Sequence, residues 1–97
     1  MHFEWDEQKN DDNVLKHDLD FEDASEVFAG PLLTMSDTRQ DYGEVRWIGI
    51  GFLEARIVVV VFTRREPDII RVISMRKATH HEQQRFAEDF KNQLGSP

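Results

Sequence analysis

Ninety-seven residues, 39% apolar and 32% charged, suffice for one hydrophobic core and exclude both a two-core protein and a disordered chain. The absence of cysteine removes disulfide and thiolate chemistry and makes a cytoplasmic setting the expectation. The net charge of −7 argues against a simple nucleic-acid binder, yet residues 1–44 hold thirteen acids against three Lys/Arg while residues 45–97 hold nine Lys/Arg against six acids, so a basic working face on an acidic remainder is expected.

The N-terminus carries acids and no apolar segment of signal-peptide type. Phe3-Glu4-Trp5 alternates and predicts a short strand. Asp6 is placed to cap a helix over residues 7–17, in which Val14 and Leu15 are the main apolar residues. So polar a helix belongs on the surface, supported by Phe3 or Trp5. Asp20 caps a second helix, whose Phe21, Ala24, Val27 and Phe28 form one apolar stripe. Gly30 is expected to supply a left-handed cap, and Pro31 forbids continuation.

Leu32–Met35 then reads as a strand and residues 36–43 as a polar loop. A strand over residues 44–52 follows, in which Gly49 and Gly51 suggest a bulge or a close backbone approach. After the tight Leu53-Glu54-Ala55 connection comes the most hydrophobic strand, residues 56–64. Its core run, Ile57 to Phe62, is too short to span a bilayer. Arg65-Glu66-Pro67-Asp68 turns the chain into residues 69–77, a β-branched strand that carries cations. Thr79-His80-His81-Glu82 has the S/T-x-x-E form of a capping box and opens a last helix with Phe86, Phe90 and Leu94 on one face.

Short connections between successive strands imply antiparallel pairing. The expected architecture is an α+β fold: a four-stranded antiparallel meander to which the N-terminal strand can add at an edge. Two N-terminal helices and one C-terminal helix should lie largely on one face. A single domain over residues 1–94 with a frayed tail at 95–97 completes the expectation.

Arg64, Arg65, Arg71, Arg76 and Lys77 fall within fourteen residues. Each Arg alone reads as an ion pair with one of the many acids, Glu44, Glu82 and Asp23 among them, but together they read equally well as a phosphate site. Strict alternation sends Arg71 and Arg76 to opposite faces unless a bulge intervenes. Arg64 lies some way along the meander from Arg76, and the two meet only if the sheet or a loop brings them together. His17, at the end of the first helix beside Lys16, is the best proton-transfer group by identity, and equally an ordinary helix-terminal histidine. His80 and His81 lack zinc-ligand spacing. No glycine-rich phosphate loop, nucleophile elbow or dinucleotide fingerprint occurs. An enzyme built from what remains uses Arg, Lys and His on a phosphate, with no metal and no organic cofactor.

Taken in order, Phe3-Glu4-Trp5-Asp6-Glu7, Lys9, Asn13, Lys16-His17, Phe21-Glu22-Asp23-Ala24, Val27-Phe28, Glu44-Val45-Arg46, Ile50-Gly51, Val58 to Thr63 and the run Ile70-Arg71-Val72-Ile73-Ser74-Met75-Arg76-Lys77-Ala78 followed by Glu82 resemble the BrnT family of bacterial type II toxins. The resemblance implies a RelE-like fold and a metal-independent endoribonuclease that inhibits translation. It also implies a cognate antitoxin that neutralises the toxin and provides the contact with DNA. Arg76 and Arg64 would then stabilise the phosphate and His17 transfer a proton, while Arg71, Lys77, Arg46 and Lys16 would hold RNA. Asp18 stands where the family pattern has glycine, and Phe86 where members often carry Tyr. Two other readings stay open: a non-catalytic module that docks an antitoxin-like protein, and a metal-dependent hydrolase using His80, His81 and Glu82.

Overall fold

The computed structural model describes residues 1–95. In chain order it contains β1 (His2–Glu4), α1 (Glu7–His17), a 3₁₀ turn (Phe21–Asp23) running into α2 (Ala24–Ala29), β2 (Leu32–Ser36), β3 (Trp47–Leu53), β4 (Arg56–Arg65), β5 (Ile69–Lys77) and α3 (His80–Gly95). Gly95, expected in the tail, is still helical; Ser96 and Pro97 lie outside the described residues. Among those residues no helix is long and apolar enough to cross a membrane.

The five strands form one sheet in the order β1-β5-β4-β3-β2. β2 to β5 make the expected antiparallel meander. The N-terminal strand does add at an edge, but it runs parallel to β5, pairing Phe3 with Ile70. The long excursion through α1 to β4 is what permits a parallel neighbour.

Helices cover both faces of the sheet, not one as expected. Phe21, Ala24 and Val27 from the α2 side join Val58, Val60, Phe62, Ile70, Val72 and Met75 in one buried cluster. Phe86 of α3 joins Ile50, Val59 and Ala78 in another on the opposite face. The sequence carries the reason in Ile57 to Phe62, where every position is apolar. Such continuity, rather than alternation, marks a strand buried on both sides.

Glycine in β3 serves close approach. A Cβ on Gly51 would lie 3.0 Å from both the Pro31 carbonyl oxygen and Val27 Cγ1, so only glycine lets the end of α2 sit this near the sheet. The bulge lies elsewhere. Val61 pairs with Ser74 but Phe62 with Val72, leaving Ile73 as the extra residue on β5. Gly30 is extended (φ −105°) rather than left-handed. The left-handed helix end belongs instead to Asp18, whose φ is 57° and whose N–H donates to the Val14 carbonyl at 2.9 Å.

α1 begins at Asp6, whose carboxylate accepts the Lys9 N–H at 3.0 Å. Its inward residues are not the apolar ones: Leu15 is 87% exposed, and the buried side chains are Asn10 and Asn13. β1 covers β5 only as far as Arg71, leaving the rest of that edge without a strand. There Asn13 substitutes for one, its Oδ1 accepting the Met75 N–H at 3.1 Å while its Nδ2 donates to the Leu19 carbonyl at 2.9 Å. Asn10 likewise accepts the Phe21 N–H at 2.8 Å and donates to Asp20 at 3.0 Å. Edge groups left bare would carry the cost of unpaired buried donors, so the helix docks by hydrogen bonding where apolar contact is lacking.

Candidate functional site

The docking of Asn13 on Met75 fixes a register between α1 and β5. Lys16 and His17 lie three and four residues after Asn13, on the same side of the helix. Arg76 and Lys77 directly follow Met75. These four side chains, with Thr79, line one shallow cleft of about 430 Å³ at the junction of α1, β5 and α3. His17 is half-buried, while Lys16 and Lys77 are exposed.

Arg76 is held firmly within this cleft. Its two terminal nitrogens meet the two carboxylate oxygens of Glu82 at 2.7 and 2.8 Å, and Nη1 also donates to the Lys77 carbonyl at 3.3 Å. Glu82 in turn accepts the Thr79 N–H at 2.9 Å, and its own N–H donates to Thr79 Oγ1 at 3.2 Å, completing the expected capping box. The cap and the ion pair are thus one network. Chiefly because of the hydrogen-bonded Arg76 guanidinium, the Glu82 carboxyl titrates far below its ordinary range, at about 2. Arg76 is raised, mainly by Glu82, against the opposing effects of burial and of the like charge on Arg39.

The other expected site residues lie apart from the cleft. Arg76 pairs with Val59 across the sheet, whereas Arg64 is five residues further along β4, opposite Ile70. At strand rise this is roughly 17 Å, so the sheet does not bring Arg64 and Arg76 together. Arg64 instead lies over the rings of Trp47 (5.6 Å) and Phe62 (5.9 Å), beside Arg65, Phe28 and Leu32 at the opposite end of β4. Arg71 pairs with Glu4 of β1. The Ile73 bulge resets the alternation, so Arg71 shares a face with Ser74 and Arg76 rather than opposing Arg76. Arg46 bonds Glu44 at 3.2 Å and lies 3.9 Å over the Tyr42 ring. It belongs to the loop, because β3 begins at Trp47 and not at Glu44 as expected.

His80 and His81 are exposed on the first turn of α3. Glu82 is already committed to Arg76 and Thr79, and among the described residues no three His, Asp or Glu side chains gather closely enough to hold a metal ion. Sequence reasoning missed Asn13, which sets the register, and the Asp37–Arg39 pair of the loop after β2. Two asparagines three apart on an otherwise charged helix were the available signal for the first. Nothing in the loop's composition singled out the second.

Residues 5–82 match a family model described as the ribonuclease toxin BrnT of type II toxin–antitoxin systems. Among solved structures, the crystal structure of the Brucella abortus ribonuclease toxin BrnT is similar to this chain at 34% identity, covering 82% of this chain and 99% of that one with a TM-score of 0.67. No curated protein sequence gives a match.

Proposed function

Because the chain belongs to the BrnT family of ribonuclease toxins of type II toxin–antitoxin systems, we propose that it is an endoribonuclease that blocks translation by cutting RNA without a metal ion. The observation that carries this reading is the convergence of Lys16, His17, Arg76 and Lys77, from two distant parts of the sequence, on one cleft.

Chemistry at this cleft needs only those groups. The 2′-hydroxyl attacks the adjacent phosphorus and gives up its proton as the P–O5′ bond breaks and the departing oxygen gains one. A 2′,3′-cyclic phosphate and a 5′-hydroxyl result. His17 is the residue able to move the proton. Arg76, oriented by Glu82, faces the charge that grows on the non-bridging oxygens, and a fixed guanidinium stabilises that charge more than it stabilises the ground state. Lys16 and Lys77 hold the flanking phosphates, Arg71 and Arg46 the strand beyond them. A cognate antitoxin covers this site and supplies the link to DNA.

The Arg76–Glu82 pair also favours a second reading. An arginine already satisfied by a carboxylate can be a structural element of a non-catalytic module that docks an antitoxin-like partner. Growth and total RNA integrity after inducing the chain alone separate the two. The ribonuclease reading expects arrest and RNA fragments in the wild type. It expects about a hundredfold or greater loss of cleavage in folded Arg76→Ala. Arg64→Ala should remain active, because Arg64 lies at the far end of the sheet. Normal growth with intact RNA from a folded wild-type chain supports the docking module instead.

A further inference from the structure

We propose that Arg39 is an additional RNA-contacting residue, holding the phosphate backbone beside the Arg76 cleft, and that Asp37 is the residue that positions it. This rests on the ribonuclease reading above.

Asp37 opens the loop after β2, and its side chain is completely buried. A buried carboxylate needs partners, and Asp37 takes nearly all of them from one residue. It accepts from Arg39 Nε at 2.8 Å, Arg39 Nη2 at 2.8 Å and the Arg39 backbone N–H at 3.2 Å, with the Tyr42 hydroxyl at 3.3 Å. The Arg39 side chain nevertheless remains 63% exposed. Of the five N–H donors on a guanidinium, two go to Asp37, so donors remain for a ligand. An exposed arginine is usually mobile, whereas this one is clamped from behind and presented.

The loop that carries it is fastened over a particular face of the sheet. Thr63 Oγ1 donates to the Val45 carbonyl at 2.7 Å, and the Asp37 N–H donates to the Arg46 carbonyl at 2.8 Å. Thr63 pairs with Arg71, and the bulge at Ile73 keeps Ser74 and Arg76 on the same side. The loop therefore leans over the face that presents Arg76, and the charge of Arg39 is felt there. Two guanidiniums repelling one another beside a basic cleft are unfavourable in the free protein. A polyanion laid between them attracts both and offsets that repulsion, which is the chemistry of a nucleic-acid backbone.

The test is binding of a labelled single-stranded RNA oligonucleotide by fluorescence anisotropy at several salt concentrations, together with cleavage of the same RNA by the full chain. Arg39→Ala should weaken binding about tenfold and flatten the dependence of log affinity on log salt by about 0.7, one phosphate's share. Arg85→Ala, which removes an exposed cation of α3, should change neither. Asp37→Asn should weaken binding in the wild-type background but not in an Arg39→Ala background, because its effect passes through Arg39. Where Asp37→Asn does not fold, as read by circular dichroism, Arg39→Ala decides alone. Wild-type cleavage with Arg39→Ala indistinguishable from Arg85→Ala overturns this inference and leaves the ribonuclease reading standing. A folded wild type that neither binds nor cuts RNA overturns both.

Discussion

The two-pronged bond between Arg76 and Glu82 carries two tasks at once: it aims the guanidinium and it closes the first turn of α3. A carboxylate whose folded-state pKa is depressed contributes stability that is complete above its unfolded value and is lost as pH falls through the folded one. Glu82 moves from 4.5 to about 2, and buried Asp37 from 3.8 to about 2. Chemical unfolding measured between pH 5 and pH 2 should therefore show stability decreasing steadily through this window. Glu82→Gln should reduce the slope, since glutamine still serves the capping box but has no charge to lose. An unchanged slope in that variant means that the pair adds little to stability.

At the scale of elements, α1 shows what hydrogen bonding can do in place of apolar contact. Asn13→Leu keeps the volume but orphans the Met75 N–H and the Leu19 carbonyl, and should cost about 2–3 kcal/mol by denaturant titration. Because the same contact sets Lys16 and His17 against Arg76 and Lys77, RNA cleavage should fall further than RNA binding. Equal stability in Asn13→Leu and the wild type excludes this docking role. The elements themselves were largely legible. Asp6 and Thr79 as helix caps, the Glu54-Ala55 turn and the apolar stripe of Phe21, Ala24 and Val27 all follow local rules and appear where those rules put them, whereas Asp20 caps the 3₁₀ turn that precedes α2 rather than α2 itself.

What escaped depended on contacts between distant residues. The bulge at Ile73 arises from pairing with β4, so no count along β5 alone could show that Arg71 and Arg76 share a face. The predicted start of β3, Glu44 to Arg46, is loop, and there the Val45 carbonyl takes its hydrogen bond from the Thr63 side chain rather than from a neighbouring strand. Half of the candidate cleft, Arg76 with Lys77, was visible as misplaced charge in a strand, and His17 with Lys16 as a helix end. Their meeting was not visible, because it turns on a single asparagine.

Over the whole molecule, the acidic N-terminal half and the basic remainder meet in pairs such as Glu4–Arg71 and Glu44–Arg46 but leave exposed charge of both signs elsewhere. The cations of the cleft and its surroundings lie at the end of β5, in the last turn of α1 and in the loop after β2, whereas Glu7, Asp11 and Asp12 are exposed earlier on α1. This arrangement favours a short single strand seated at one place over a duplex laid along a broad surface. With about three to four phosphates neutralised, the log affinity for single-stranded RNA should fall with log salt at a slope of roughly −2 to −3. A slope near zero means that binding does not use this cation cluster.

The parallel edge formed by β1 and β5 has a consequence in time. Glu4 and Arg71 are partners 67 residues apart, and the cleft is divided in the same way between Lys16-His17 and Arg76-Lys77. As the chain leaves a ribosome, its first strand has nothing to pair with, and its first helix no edge to cap, until most of the sequence has followed. Closing so long a loop also slows folding. On the proposed ribonuclease reading, the cleft is in this way assembled only once Lys77 and Thr79 have been made, and a partner able to recognise the early segments has that interval in which to reach them first.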